Sequence, residues 1–372
     1  MKAIAVFPKE KKVRLIDHPE SKIVSPKQVK IKIIDVGICG TDREICEFKY
    51  GVAPEGCDYL ILGHESLGQV VEIGSAVSTL KPGDLVVTMV RRPCNHKTCI
   101  ACQSGQPDFC YTGDFKERGI NQLHGFMTEF VVDEEKYMVH VPTHLLNIGV
   151  LTEPLTIAEK SMREIYFIQK RLPWHNPHSA LVIGAGPVGL LAALVFNRCE
   201  FDVTVYSLEA ATDPRAKIAV ALGARYVSAK IDNIEKLAQQ ITGNLDVIFD
   251  GSGASKLAFQ LVDLLGYNGV FVWTGIPGRK ESIDIKAGTM MKNIVLKNQS
   301  IVGSVNAGRG DFENAIQHLD ALSDRLQHFE YPLITRYPTE SFEKLLLEAP
   351  TPDIFKSVLS ISPLQSASQK PA

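Results

Sequence analysis

VIGAGPVGLLAAL, residues 182–194, carries glycines at 184, 186 and 189 directly after an apolar run and at the head of a helix-like one. The G-x-G-x-x-G spacing has a physical use in that setting. Gly184 permits a tight turn, Gly186 lets backbone approach a pyrophosphate, and Gly189 lets the helix pack closely on the strand. The helix start, at Pro187 and Val188, offers partial positive charge and free N–H groups to an anion. A dinucleotide-binding turn is the expectation, provided that the stretch opens an alternation of strands and helices.

It does. From about Pro154 the pattern turns helical (PLTIAEKSMREIYFIQK, residues 154–170), and strand-like runs then alternate with helical ones. The run continues through VTVYS, DPRAKIAVALGA, YVS, NIEKLAQQI, LDVIFD, SKLAFQLVDLL, GVFVWTG and SIVGSV. Such alternation implies right-handed βαβ units and a doubly wound parallel sheet. Residues 1–150 read differently, as short β-branched runs between Gly, Pro and charged turns, so the fold class is α/β with a β-rich first domain. The apolar stretch at 180–196 approaches a membrane span in length, but its glycines and proline divide it into a buried strand, a turn and a helix. After Asp311 two further helical stretches follow, DFENAIQHLDALSDRL and SFEKLLLEA, and the tail SPLQSASQKPA reads as disordered.

At 372 residues the chain is expected to form more than one domain. A hydrophobic fraction of 45% and a net charge of −2, with both signs mixed along the chain, describe a soluble protein with no electrostatic case for nucleic acid or an acidic membrane. No apolar signal-like segment opens the sequence, and the eight cysteines read as thiols of a cytoplasmic protein. Clustered thiols in that setting point to metal or catalysis.

RRPCNHKTCIACQSGQPDFC (residues 91–110) holds Cys94, Cys99, Cys102 and Cys110 in a C-x4-C-x2-C-x7-C pattern. Four thiolates among Gly and Pro suit a closed structural zinc site, which would tie down a lobe (residues 91–112) with little apolar surface to bury. A nucleic-acid-binding zinc ribbon would show two C-x2-C knuckles and a basic, aromatic surface, and neither is evident. A second set is spread wider. Cys39 lies in GICGTDRE, His64 and Glu65 in LGHESLG, and Glu153 precedes a proline in LTEPLTIAEK. A cysteine, a histidine and a carboxylate form a catalytic zinc set that leaves one position open. A buried cysteine and a satisfied core histidine are the plainer reading, but adjacent buried ionisable groups need partners. At the end of the second strand of the alternation, Ser207 with Arg215 leans to NADP, while Glu209 keeps NAD open.

GICGTDRE, LGHESLG, the four-cysteine lobe and VIGAGPVG occur in the order of the zinc-dependent medium-chain dehydrogenases, which the chain resembles throughout. CGTDREI, PDFCYTGDFKERGI, HGFMTEF, EPLTIAEKS and VGSVNAG narrow the resemblance to archaeal-type glucose dehydrogenases. The resemblance implies a GroES-like catalytic domain over 1–175, a Rossmann domain over 176–307 and a return to the catalytic domain over 308–372, with the active site in the cleft between them. It implies oxidation of an aldose at C1 with NAD(P)+, a catalytic zinc on Cys39, His64 and Glu65 with Glu153 as a fourth or alternating carboxylate, and a structural zinc in the lobe. Thr41 corresponds to the hydroxyl that takes the substrate proton. Glu117, Glu153 and Asn306 match sugar-contacting positions, and Thr274 and Asn306 lie among the cofactor contacts. A homodimer or homotetramer is expected. Val90 and Leu296 replace polar sugar-contacting residues of some members, and Leu208 and Glu209 replace arginines of some NADP-using members. An alcohol, polyol or threonine dehydrogenase is the nearest alternative, followed by a dinucleotide-binding protein with structural zinc alone.

Overall fold

The computed structural model describes residues 1–173, 177–277, 282–323, 326, 331–349 and 354–362. Two compact units emerge. Among the described residues, one holds Met1–Glu153 and those from Asn306 onward except Ile354 and Phe355, and the other holds those of Pro154–Val305 joined by Ile354 and Phe355. These divisions fall at 153/154 and 305/306 rather than at 175/176 and 307/308. The helix Thr152–Gln169, read from sequence as the end of the first domain, sits almost wholly in the second unit. Its side chains explain this: Lys160 Nζ donates to the Val305 carbonyl at 2.9 Å and Gln169 Nε2 to the Asn268 carbonyl at 3.0 Å. The tail beyond Ser362 lies outside the described residues.

The second unit is a parallel sheet of six described strands in the order Arg225–Ser228, Asp202–Ser207, Ser179–Ile183, Val247–Asp250, Val270–Trp273 and Ser300–Gly303. Numbered along the chain this is 3-2-1-4-5-6, the doubly wound dinucleotide-binding order. Its central strands are buried on both faces, hence their unbroken apolar runs. The helix Pro187–Arg198 buries every side chain from Gly189 to Phe196. The apolar stretch at 180–196 is therefore strand, turn and helix, and no described helix is long and apolar enough to cross a membrane.

In the first unit the long strand Gln28–Gly37 is the axis. It alternates buried and half-buried residues up to Ile33 and is then buried on both faces as it runs toward Cys39. Glu65–Ile73 pairs along it antiparallel, with Glu65 opposite Gly37. Lys356–Ser360 pairs on its other side, with Val358 also opposite Gly37. Ile334–Pro338 and Lys356–Ser360, like the helix Ala287–Leu296 of the second unit, go unassigned in the sequence reading. Ile4, Ile31, Ile33, Leu60 and Phe126 form the centre of the core beneath these strands.

Candidate active site

The strand Gln28–Gly37 ends at Gly37, and Cys39 is the N-cap of the helix Gly40–Cys46. Asp42, at the third helical position, accepts the Cys39 backbone N–H at 2.9 Å through Oδ2, fixing the turn that presents the thiol. Its other oxygen, Oδ1, lies 3.4 Å from His64 Nδ1. His64 and Glu65 come from the start of the neighbouring strand, so the Gly37–Glu65 register brings both beside Cys39. The ligand atoms of Cys39, His64 and Glu65 lie within 4.8 Å of one another. Thr41 Oγ1 is 3.9 Å from Cys39 Sγ.

The electrostatics of this pocket select positive charge. Burial works against a charged His64, yet Asp42 and Cys39 hold its pKa well above the ordinary value. Burial likewise pushes Asp42 up, and His64 with the Cys39 N–H brings it below the usual carboxylate range. Lys356, fully enclosed, donates to Glu65 Oε1 at 2.6 Å and is kept charged against burial by Glu65 and Cys39. A sulfur, an imidazole nitrogen and a carboxylate oxygen converging among further buried anions form a donor set that fits zinc. Gly37 is required here for space: a Cβ would stand 2.0 Å from Glu65 Oε2. Glu153 lies outside the convergent set. Burial, with Glu65 adding to it, lifts its carboxyl to about 7, and it senses His64, Lys356 and Asp42.

Cys94, Cys99, Cys102 and Cys110 also converge, their sulfurs within 4.8 Å of one another, and the cluster's own core is these cysteines with Ala101. Burial pushes Cys110 up, but hydrogen bonds from Thr112 help bring it to about 6. Ile100, Phe109 and Tyr111 are exposed, so the lobe has no apolar core to replace a metal. Four soft sulfurs in a closed cluster fit a structural zinc.

Glu117 lies on the strand Lys116–Arg118, directly opposite Arg91. Its Oε1 accepts from Arg91 Nε at 3.1 Å, Arg91 Nη2 at 2.9 Å and Asn306 Nδ2 at 2.8 Å. Asn306 takes a left-handed backbone, φ 60°, to reach it. Val90 is buried, whereas Leu296 is exposed on the second unit.

In the second unit Gly184 has φ +96°, and a Cβ on Gly189 would stand 2.0 Å from the Gly184 carbonyl oxygen, while one on Gly186 would meet nothing within 4 Å. The turn is thus tight inside and open outside. Gly186 is the N-cap, Pro187 the first residue of the helix, and Val188 follows. The Ala185 N–H donates to Ser207 Oγ at 2.9 Å, and the Ser207 hydroxyl donates to the Glu209 carboxylate. Arg215 reaches Glu209 Oε1 at 3.4 Å and the Ile354 carbonyl at 3.0 Å. Thr274 donates its hydroxyl to the Asp250 carbonyl at 2.8 Å, at the same strand-end edge of the sheet.

The family description "Glucose dehydrogenase C-terminus" matches residues 146–361, and "Alcohol dehydrogenase GroES-like domain" matches residues 25–143. The chain belongs to the glucose dehydrogenase family. Within that family it is 39% identical to "Glucose 1-dehydrogenase" of Thermoproteus tenax over 364 residues, 97% of this chain and 99% of the relative. It is 37% identical to "Glucose 1-dehydrogenase" of Methanocella arvoryzae over 326 residues, 87% and 90% of the two chains. Among solved structures it is similar to "Haloferax mediterranei glucose dehydrogenase in complex with NADP, Zn and gluconolactone", with a TM-score of 0.86, 32% identity, and 98% of this chain and 100% of that one covered. A glucose dehydrogenase fold of this kind pairs a GroES-like unit with a Rossmann unit, and the two units here are of these kinds.

Three polar residues of the site escape the sequence reading. Asp42 lies in the quoted GICGTDRE run, but neither its cap on Cys39 nor its approach to His64 is assigned there. Lys356 gives no local signal, being 291 residues from its partner. Arg91 stands in RRPC, but only the strand pairing reveals that it faces Glu117. Arg43, which the sequence leaves without a physical role, donates through Nε to the Leu345 carbonyl at 3.0 Å and ties two short helices together.

Proposed function

We propose that the chain oxidises an aldose, D-glucose or a near relative, at C1 to the aldonolactone, with hydride transfer to NAD(P)+. The observation that carries this reading is the convergence of Cys39, His64 and Glu65 with the Thr41 hydroxyl beside them. Zinc held by Cys39, His64 and Glu65 would supply Lewis-acid polarisation of the anomeric hydroxyl, and the dinucleotide seated at Gly184–Gly189 would supply the hydride acceptor. The protein's own residues do the rest. The partly exposed Thr41 hydroxyl takes up the proton leaving the substrate and passes it toward solvent. Glu117 and Asn306 hold the sugar by its hydroxyls, an interaction made alike with bound substrate and transition state and therefore read mainly in KM. Glu153 adds a second carboxyl beside the set, as sugar contact or alternating ligand. The four lobe cysteines would hold the structural zinc.

Two observations support NAD as the better cofactor. The Glu209 carboxylate, held by Ser207 and Arg215, is suited to accept from a ribose 2′-hydroxyl and to repel a 2′-phosphate. Arg215, the reason for leaning to NADP from sequence, is already engaged by Glu209 and the Ile354 carbonyl. The domain roles follow the units: catalysis in the first and cofactor binding in the second. A homodimer or homotetramer is proposed on the helix Ala287–Leu296, which buries none of its residues and exposes Met291, Val295 and Leu296 beside the edge strand Ser300–Gly303. A cytoplasmic location suits eight free thiols.

Steady-state kinetics on D-glucose, D-galactose and D-xylose with NAD and NADP side by side test the reading. Aldose turnover is expected, with the higher kcat/KM on NAD. Turnover of only polyols, simple alcohols or threonine would overturn the substrate class. Cys39→Ser is expected to abolish turnover while leaving the fold and the lobe zinc in place; normal kinetics in that variant would remove the catalytic-zinc assignment.

A further inference from the structure

We infer that Arg91 is the positioning residue that holds Glu117 ready for the sugar, and that it does so by tying Glu117 to the four-cysteine lobe. The inference rests on the proposed sugar-orienting role of Glu117. Its starting point is a single guanidinium with three fixed neighbours. Nε and Nη2 both donate to Glu117 Oε1, Nη1 donates to the Asp108 carbonyl at 3.1 Å, and the Phe115 ring lies 3.8 Å from Cζ. Asp108 belongs to the short 3-10 turn Pro107–Phe109, immediately before Cys110. One planar group therefore spans from the lobe's last turn to the carboxylate, and the aromatic face limits its tilt.

Arg91 and Glu117 are both about 95% buried. A buried ion pair is seldom the most stable filling for its volume, because desolvation offsets most of the attraction. Retention of both charges in the strand pairing is better explained by what the carboxylate must present. Among the described residues, the hydrogen bonds to Glu117 fall on Oε1, two from Arg91 and one from Asn306. Oε1 is thus saturated as an anchor, and Oε2 is the acceptor left to meet a hydroxyl. Charge-assisted bonds from a rigid fork fix a carboxylate's plane in a way that a single flexible ammonium does not. Without the fork, Glu117 keeps only the Asn306 contact and can rotate about its last torsion.

The nearby segment is held in the same frame. Val52 N–H donates to the Ile120 carbonyl and Gln122 N–H to the Val52 carbonyl, pinning the turn that carries the half-exposed Tyr50 beside the Glu117 strand. Burial raises the Tyr50 phenol pKa, and the charges of Glu117 and Arg91 reach it as well.

The test compares Arg91→Met, Arg91→Lys and Glu117→Gln in the full-length, zinc- and cofactor-loaded protein. For Arg91→Met, KM for D-glucose is expected to rise about tenfold or more, with kcat changed less than about threefold and cofactor KM unchanged. Arg91→Lys should recover only part of the loss. D-glucose binding by calorimetry in the presence of oxidised cofactor should weaken in parallel. In the double variant with Glu117→Gln, the Arg91→Met effect should vanish, because the two act through one carboxylate. A purely structural Arg91 would lower the thermal midpoint and leave aldose KM at wild type, and that result would overturn the inference. If Glu117→Gln raises aldose KM while Arg91→Met does not, the positioning role fails and the sugar-orienting role of Glu117 stands. If Glu117→Gln itself leaves aldose KM unchanged, the reading beneath the inference is what fails.

Discussion

The carboxylate of Asp42 accepts the Cys39 N–H with one oxygen and faces His64 Nδ1 with the other, so one side chain orients two of the three converging donors. A carboxylate behind a metal-bound imidazole sets its tautomer and raises its basicity, and loss of such a partner lowers metal affinity about 10–100-fold. Asp42→Asn keeps an acceptor for the helix cap and removes the negative charge. In a chelator competition the variant should release the zinc of the Cys39 set at about 10–100-fold lower chelator strength while the lobe zinc is retained. Equal retention of both zincs in variant and wild type would show that Asp42 serves the helix cap alone. At this scale the sequence exposes residue types and hides partners. Cys39, His64 and Glu65 were recognisable because their neighbours are glycines and their chemistry is distinctive. Lys356 was not, because a lysine reads as surface until its depth is known.

Elements built from contiguous sequence were the most legible. Strand, glycine turn and helix at 179–198 follow one another without a gap, and the spacing of Gly184, Gly186 and Gly189 reflects contacts within that one unit. The closeness of Gly189 to the Gly184 carbonyl makes a sharp prediction. Gly189→Ala places a Cβ where only 2.0 Å is free, so the turn must shift. Overpacking of this kind costs about 1–3 kcal/mol, and the displaced turn no longer offers its N–H groups to a pyrophosphate. Titration with NAD should show at least a tenfold weaker Kd in a protein that remains folded by circular dichroism. An unchanged Kd would mean that the dinucleotide does not rest on this turn. By contrast, the helix Ala287–Leu296 fully buries no residue and turns only Met290 and Ile294 toward the core while Met291, Val295 and Leu296 are exposed, so apolar residues on both faces blur the stripe that periodicity would find.

Across the whole molecule, legibility falls with sequence separation. The parallel sheet was readable because four of its five strand pairings join strands consecutive in the chain, whereas Lys356–Ser360 joins a strand that ended more than 300 residues earlier, at Gly37. No local pattern announces such a pairing, and the divided first unit depends on it. The pH response of the fold is likewise a sum over distant groups. Asp133, locked between Arg92 and Arg118, is brought down to about 2 despite burial, so its contribution is complete above the ordinary carboxylate range and is lost only in stronger acid. His124 acts earlier. Burial, with the charges of His18 and Arg118, lowers its pKa to about 4. Its Nδ1 accepts the Ile61 N–H at 3.1 Å, and its ring stacks on Tyr59 with centroids 5.3 Å apart. A histidine whose folded pKa lies below its unfolded value stabilises fully above about 6.5, and that stability drains away as pH falls through 4. The ring is partly exposed, so solvent screening reduces the contribution to on the order of 1–3 kcal/mol. Thermal midpoints measured in excess zinc from pH 7 to pH 4.5 should therefore fall. His124→Asn, which keeps an acceptor for Ile61 but cannot titrate, should show a shallower fall. Parallel curves for variant and wild type would assign the acid sensitivity to other groups, with the nearby His18, itself lowered by burial, the next to replace.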